Sequence, residues 1–369
     1  MTAPDNTSPE PISAEDRAAL AESIRDVLRR RSDSAAVRTA IESAGRIDRS
    51  LWETLCGEIG VAALAVPEEF DGAGATLAET ALAVEEVGAT LSPVPVFSSA
   101  VLAVGAVLAS GDAEAAARLL PGLASGERIG ALCWAGPSGW STPGVTAEAG
   151  LLSGTAEYVI DGESADVFLV IAGRPGDPDG PQTLHEVDAR AEGVTVTPLP
   201  LLDPTRALAR VHFDEVSSTT ITSPAAIAEH VRALAWAMLS AEQVGGAARA
   251  LALTVEYTST RKQFGRTLAS FQALKHAMAN MYVSVEAMRS MSAAAIDALI
   301  HRRADAAELA AAAHAYCSEQ YMAVTGEAIQ LHGGVGITWE YDIGMYFKRA
   351  QADAQLFGQP HQALARISL

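Results

Sequence analysis

The sequence predicts a multidomain α+β protein in which two helical parts flank a β domain. Apolar residues recur at helical spacing up to about Leu123. From about residue 129 to residue 222, helical spacing gives way to short runs with β-branched residues between Gly, Pro and Asp. Ala-rich helical sequence resumes after Pro224. A chain of 369 residues also exceeds the usual size of one domain, so two or three are expected.

The expected units, in chain order, follow from these changes of pattern. Residues 1–12 are polar and Pro-rich and predict a disordered tail. The N-terminal helical domain, 13–128, begins with Leu20, Ile24, Val27 and Leu28 at helical spacing. The middle domain, 129–222, is predicted to be a β-barrel or β-sandwich. The C-terminal domain, 223–369, is predicted to form a four-helix bundle from helices at about 225–259, 269–299, 304–331 and 343–357.

Composition and charge disfavour several classes of function. The formal net charge of -19 argues against a nucleic-acid partner, because such binding needs basic surface. We find no run of membrane-spanning length and no apolar segment in the polar N-terminus, so we expect no membrane association and a cytoplasmic location. The cysteines Cys56, Cys133 and Cys317 are not in metal-ligand spacing and fit buried thiols in a reducing compartment. No metal site is expected.

The stretch RKQFGRTLASFQALKHAMANM, 261–281, is predicted to form a corner between two helices. Gly265 and Thr267 allow a turn there, and the corner presents Arg261, Gln263 and Phe264. A guanidinium offers a planar fork of donors that matches a pyrophosphate, and a neighbouring aromatic ring can cover a flat heterocycle. The corner therefore suits a phosphate-bearing ligand. The alternative is a solvated arginine beside a phenylalanine of the core.

A second polar and glycine-rich cluster, QLHGGVGIT, follows at 330–338. Together, R-x-Q-F-G, the later F-Q pair and Q-x-x-G-G-x-G resemble the acyl-CoA dehydrogenase family of flavoproteins, and the resemblance covers nearly the whole chain. It implies the same order of helical, β and helical domains. It also implies that seven residues hold the adenosine and pyrophosphate of a neighbouring subunit's FAD: Arg261, Gln263, Phe264, Gln272, Gln330, Gly333 and Gly334.

The resemblance also shows where a catalytic base would be expected. In this family a carboxylate removes a proton next to the thioester carbonyl while a hydride leaves for the flavin. The stretch RAQADAQLFGQ matches the family's R-D-A-x-x-x-x-x-Y-E-G and places Gly358 at the position of the catalytic Glu. Some relatives carry the base on the preceding long helix, at a position close to Ala235 here. Glu242 would stand roughly 10 Å further along that helix, and Asp353, on a continuous helix, would point away from Gly358. No catalytic residue is assigned.

The β domain also lacks residues that the family has at the matching positions. The chain has Cys133-Trp134-Ala135 where the family has T-E-P, and Ile160 where the family has the hydroxyl donor of W-I-T. The chain thus resembles the non-catalytic subunit of actinobacterial heteromeric, α2β2, steroid-type acyl-CoA dehydrogenases. This implies FAD, a homologous partner subunit, a bulky acyl-CoA substrate such as a steroid side-chain thioester, and an electron-transfer acceptor.

Two other functions stay open from the sequence. One is a self-contained acyl-CoA dehydrogenase that uses a carboxylate elsewhere in the chain. The other is a non-enzymatic, DNA-associated flavoprotein on the same fold, which the acidic charge disfavours.

Overall fold

The computed structural model describes residues 12–177 and 180–367. The predicted disordered tail lies outside these residues, apart from Ile12. Helices precede and follow a block of strands, and the predicted order of helical, β and helical parts is confirmed. Among the described helices, none combines the length and the apolar character that crossing a membrane requires.

The N-terminal helices pack around an apolar core that the sequence pattern already indicated. The first helix buries Ile24, Val27 and Leu28, and the Ser13 side chain caps it by accepting from the Asp16 amide. A fully buried π-helical segment, Val96–Ala103, precedes the fifth helix. The helices are α1 (Ala14–Arg31), α2 (Ser34–Ile41), α3 (Arg49–Thr54), α4 (Leu77–Thr90), α5 (Val104–Ser110) and α6 (Ala113–Ala124).

The β block consists of two four-stranded sheets and a short strand pair. The strands are β1 (Gly130–Cys133), β2 (Ala135–Gly136), β3 (Gly139–Pro143), β4 (Val145–Glu148), β5 (Leu151–Ile160), β6 (Val167–Ala172), β7 (Thr183–Asp188), β8 (Val194–Pro198), β9 (Leu208–Ser217) and β10 (Thr219–Ile221). The sheets have the orders β1-β6-β7-β10 and β4-β5-β9-β8, and β2 pairs with β3. Strand β6 is buried on both faces, with Phe168 and Val170 in the core of the β block and Leu169 in the core shared with the helices.

Strand β5 contains an irregularity that turns one aromatic ring outward. Its antiparallel pairing with β9 shifts register between Ala156 and Val159. Tyr158 lies within this bulge with φ 55°, a left-handed conformation that is uncommon for a residue other than glycine. Its ring is not drawn into the core, since Tyr158 remains 42% exposed.

The C-terminal part consists of long helices, as predicted, with one difference in their bounds. The helices are α7 (Ile227–Thr260), α8 (Gln272–Ile300), α9 (Ala306–His332), α10 (Ile343–Asp353) and α11 (Pro360–Leu364). The prediction that the last long helix runs to 357 was wrong. Helix α10 ends at Asp353, and both Phe357 (φ 59°) and Gly358 (φ 107°) are left-handed. No continuous helix therefore joins Asp353 to Gly358.

Helix α4 packs directly on the backbone of α7. A Cβ added to Gly245 would stand 1.9 Å from the carbonyl oxygen of Glu85, so only glycine allows this approach. The contact joins the N-terminal helices to the C-terminal ones.

A cluster of buried charged side chains ties the β block to the C-terminal helices. Each member is at most 6% exposed; Asp203 and Arg206 lie between β8 and β9, Glu242 lies on α7, and Arg349 and Asp353 lie on α10. The Arg349 guanidinium donates to Asp203 and to Glu242, at 2.5 Å in each case. Arg206 donates to the same Glu242 oxygen and, at 3.3 Å, to Asp353. We refer to these five residues as the arginine cluster.

The arginine cluster is close to charge balance at neutral pH. Burial alone would raise the pKa of Glu242, but the Arg206 and Arg349 guanidiniums outweigh burial and hold that pKa below its usual value. Burial raises the pKa of Asp353 to about 8, against the opposing effect of the Arg206 guanidinium. The carboxylates of Glu242 and Asp203 then balance the two guanidiniums.

Replacing Arg349 by leucine tests how far folding depends on the arginine cluster. We expect Arg349→Leu to lower the free energy of unfolding by about 3 to 5 kcal/mol, because it leaves the buried Asp203 carboxylate without its guanidinium. Urea unfolding followed by circular dichroism measures the change. The matched control is Arg303→Leu, which removes an exposed pair with Asp305 and should cost less than about 1 kcal/mol. Equal losses in the two variants would contradict the prediction.

Candidate functional site

The predicted corner between the first two long C-terminal helices is a small hairpin. Strand β11 (Lys262–Gln263) pairs with β12 (Arg266–Thr267), and the two turn residues, Phe264 and Gly265, have φ 51° and 78°. Two successive left-handed residues are the requirement of a type I′ turn, which explains Gly265. Phe264 is 90% exposed, so the alternative that it is a core residue is wrong.

The second predicted cluster lies at the same end of the bundle as the hairpin. Helices α7, α8 and α9 are successive antiparallel helices. The ring of Tyr257, near the end of α7, stacks on that of His332, the last residue of α9, with 4.5 Å between centroids. The end of α7 is therefore adjacent to the end of α9. The residues predicted to hold a cofactor thus share one end of the bundle, which we call the bundle-end surface: Arg261, Gln263, Phe264, Gln272, Gln330, Gly333 and Gly334.

The bundle-end surface is exposed and locally basic. Arg261 and Lys262 form no ion pair with a carboxylate of residues 12–177 or 180–367, and the Arg266 guanidinium lies 3.8 Å from the ring centroid of Phe271. A Cβ at Gly333 or Gly334 would meet no heavy atom within 4 Å, so the space beyond them is open. Free guanidinium donors, an uncovered ring and open backbone suit the pyrophosphate and adenine of FAD.

The turn at Gly358 borders a separate cavity of about 590 Å³, which we call the Gly358 cavity. The Gly358 carbonyl accepts a hydrogen bond of 2.8 Å from Nε2 of His314 on α9. The preceding carbonyl, of Phe357, accepts one of 3.2 Å from Nε1 of Trp236 on α7. The position that the resemblance gives to a catalytic Glu is thus held by backbone. No Asp or Glu is among the described residues that line the cavity.

The carboxyl groups considered as substitutes have other partners. Glu242 and Asp353 belong to the arginine cluster and do not line the Gly358 cavity. Ala235, the position of the base in some relatives, is completely buried.

The β-domain positions that depart from the family are also buried. Ile160 is 4% exposed and lies in the main core. Trp134 is 1% exposed, with the Arg232 guanidinium 4.4 Å from its ring centroid. Its ring packs edge-on against Trp140 at 5.7 Å, next to the Gly358 cavity. Sequence reasoning did not predict that tryptophans and arginines gather here, because they come from the β block, α7 and the chain end, and no spacing links them.

Among the described residues, no group of three or more His, Cys, Asp or Glu side chains could hold a metal ion. Cys317 is buried, and burial raises the pKa of its thiol to about 12. His314 is buried too, and its Nδ1 has no hydrogen-bond partner in the part of the chain that the structure describes.

Comparison with known proteins identifies the family. Residues 14–127 match the acyl-CoA dehydrogenase N-terminal domain, and residues 229–367 match the C-terminal domain. Acyl-CoA dehydrogenase IpdE2 from Mycolicibacterium smegmatis is 37% identical to this chain over 356 residues, which cover 96% of this chain and 98% of that protein. The chain belongs to the acyl-CoA dehydrogenase family. IpdE2 from Mycobacterium tuberculosis is 38% identical over 353 residues, 96% of each chain.

Two solved structures that are similar to this chain share its fold. A chain in a variant of the Tcur3481-Tcur3483 steroid ACAD superposes with a TM-score of 0.88 at 30% identity, covering 96% of both chains. A chain of the ChsE4-ChsE5 complex from Mycobacterium tuberculosis gives 0.87 at 26% identity and the same coverage.

The buried His314 predicts that stability depends on pH. Burial lowers its pKa from 6.5 to about 4, so between these values the unfolded chain binds the proton more readily than the folded chain. The free energy of unfolding should therefore fall as the pH is lowered from 6.5 towards 4. Urea unfolding at about pH 7, 6 and 5 measures this slope.

Two variants isolate the contribution of His314. His314→Gln keeps a donor for the Gly358 carbonyl but cannot titrate, so its slope should be shallower than that of the natural chain. His361→Gln, at an exposed histidine, is the control. If His314→Gln leaves the pH dependence of the free energy of unfolding unchanged, His314 is not its source.

Proposed function

We propose that this chain is the non-catalytic subunit of a heteromeric, FAD-dependent acyl-CoA dehydrogenase. Its bundle-end surface completes the FAD site of a homologous partner subunit, which supplies the base. The assembly then removes hydrogen from the α and β carbons of an acyl-CoA thioester. An α2β2 arrangement with one FAD for every two chains fits this division of roles, because closed symmetric assembly pairs two such heterodimers.

One observation carries the proposal: the described residues lining the Gly358 cavity include no carboxylate. Proton abstraction next to a thioester carbonyl requires a positioned base. Gly358 offers only backbone, and its carbonyl is already bonded to His314. Glu242 and Asp353 face the guanidiniums of the arginine cluster instead. These facts support the proposal that the chain cannot catalyse the reaction alone.

The bundle-end surface supports the other half of the proposal. Arg261 and Lys262 would neutralise the pyrophosphate, the Phe264 ring would cover adenosine, and Gly333 and Gly334 would let the cofactor approach the backbone. When bound, FAD supplies the hydride acceptor. These residues are exposed in this chain, as expected if they act on a cofactor held mainly by another subunit. Ile160, buried in the core, offers no hydroxyl to a flavin of this chain's own.

The similar proteins support a partner and a substrate class. Two of the similar structures are of the Tcur3481-Tcur3483 steroid ACAD and the ChsE4-ChsE5 complex, and each name gives two proteins. We infer a homologous acyl-CoA dehydrogenase subunit as partner, a steroid-type acyl-CoA as substrate, an electron-transfer protein as acceptor and the cytoplasm as location.

Loss of the Arg261 side chain should weaken FAD retention by the assembly. We expect Arg261→Ala to cost about 1.5 to 3 kcal/mol of FAD binding, because it removes a charge-assisted contact to the pyrophosphate. Bound flavin per heterodimer after dilution and gel filtration measures the effect. Arg30→Ala, an exposed arginine on α1, is the control and should leave flavin content unchanged. Equal flavin content in both variants would count against this role.

The main test is to express the chain alone and with its candidate partner. We expect the lone chain to bind no stoichiometric flavin and to oxidise no acyl-CoA, whereas the co-expressed pair should contain one FAD per two chains and turn over. Gly358→Glu should not activate the lone chain, because a carboxylate alone supplies no flavin site. A homomer with one flavin per chain that turns over by itself would refute the proposal.

A further inference from the structure

Four aromatic rings and two guanidiniums line the Gly358 cavity. They are Trp140, Tyr158, Arg232, Trp236, Phe357 and Arg366. Trp140 lies between two other rings, with its centroid 4.7 Å from that of Phe357 and 6.2 Å from that of Tyr158. The volume of about 590 Å³ is in the range of small-molecule sites. The walls are flat apolar surfaces, which suit a ligand built of rings.

Two of these rings belong to residues with a strained backbone. Tyr158 has φ 55° in the bulge of β5, and Phe357 has φ 59° in the turn after α10. Left-handed residues other than glycine cost energy, and such strain concentrates at ligand sites. Core packing does not explain the strain at Tyr158, because that residue stays 42% exposed beside the cavity. The bulge of β5 produces this conformation, and the ring of Tyr158 lines the cavity.

The lining of the cavity carries an excess of positive charge. Arg232 is 4% exposed, and its Nη2 donates to the Trp140 carbonyl at 2.9 Å. Its Nε has no hydrogen-bond partner among the described residues and lies 3.6 Å from the carboxylate of Glu229. Arg366 pairs with the same carboxylate at 2.5 Å. The single Glu229 carboxylate thus pairs with two guanidiniums, which leaves a local excess of positive charge. The whole chain, in contrast, is strongly acidic.

We propose that the Gly358 cavity is a non-catalytic binding site for a fused-ring organic carboxylate. The aromatic walls would stack on the rings of the ligand, and Arg232 and Arg366 would hold its carboxylate. An organic cation, which aromatic walls can also bind, is disfavoured by the two guanidiniums. No bond forms or breaks in this site. The proposal rests on the cavity alone and does not depend on the heteromer.

Titration with a matched pair of probes tests the proposal. Pyrene-1-carboxylate and the neutral pyrene-1-carboxamide share one ring system and differ in charge. We expect the purified full-length chain to bind one carboxylate probe per chain in calorimetry, at least about tenfold more tightly than the carboxamide. Equal affinities for the two probes, or no saturable binding of the carboxylate, would overturn the proposal.

Variants place the binding in this cavity rather than elsewhere on the chain. Tyr158→Gly removes a wall and also relieves the left-handed strain, so affinity should fall roughly fivefold or more without loss of thermal stability. Ala149→Gly is the matched control, since Ala149 is left-handed (φ 51°) but exposed in the turn between β4 and β5. Arg366→Gln should weaken binding of the carboxylate probe and leave binding of the carboxamide probe unchanged. Equal carboxylate affinity in Tyr158→Gly and Ala149→Gly would refute the site.

Discussion

The arginine cluster is the interaction on which the arrangement of the β block and the C-terminal helices depends. Arg349 and Arg206 bring together the segment before β9, the middle of α7 and the end of α10. Buried guanidiniums are costly to desolvate, and only paired carboxylates with good geometry offset that cost. The cluster also fixes the start of the turn that ends in Gly358, because Asp353 is both the last residue of α10 and a cluster member. The turn at Gly358, which borders one of the two candidate sites, therefore follows a helix that the cluster holds in place.

Much of the fold was predictable from the sequence, since it rests on patterns that extend over many residues. The change from helical spacing to short β-branched runs corresponds to the observed strands between Gly130 and Ile221. The end of α10 was not predictable, because the apolar pattern continues through Leu356 while the backbone turns at Phe357. The reason is tertiary: Trp236 and His314 hold the two carbonyls of this turn, and these partners are far away in sequence.

The two candidate sites differ in how much of them the sequence revealed. The bundle-end surface is made of short motifs at helix ends. Residue types at the corner suggested Arg261, the family resemblance implied Gln330, and the fold brings the two to one end of the bundle. The Gly358 cavity takes Trp140, Arg232 and Arg366 from three distant segments. Only folding brings these residues together, so the sequence could not show that they line one cavity. The sequence did indicate that a carboxylate is missing there.

The exposed apolar side chains in the hairpin and after α9 affect how long a copy of this protein survives in a cell. Phe264 is 90% exposed, Ile337 is 78% exposed, and Trp339 is 49% exposed. Chaperones and proteases act on chains that expose apolar side chains. If a partner subunit covers this surface, as we propose, a copy made in excess of that partner would be removed faster than an assembled copy. The abundance of the chain would then follow the supply of its counterpart, and balanced synthesis of the two would matter as much as the stability of either.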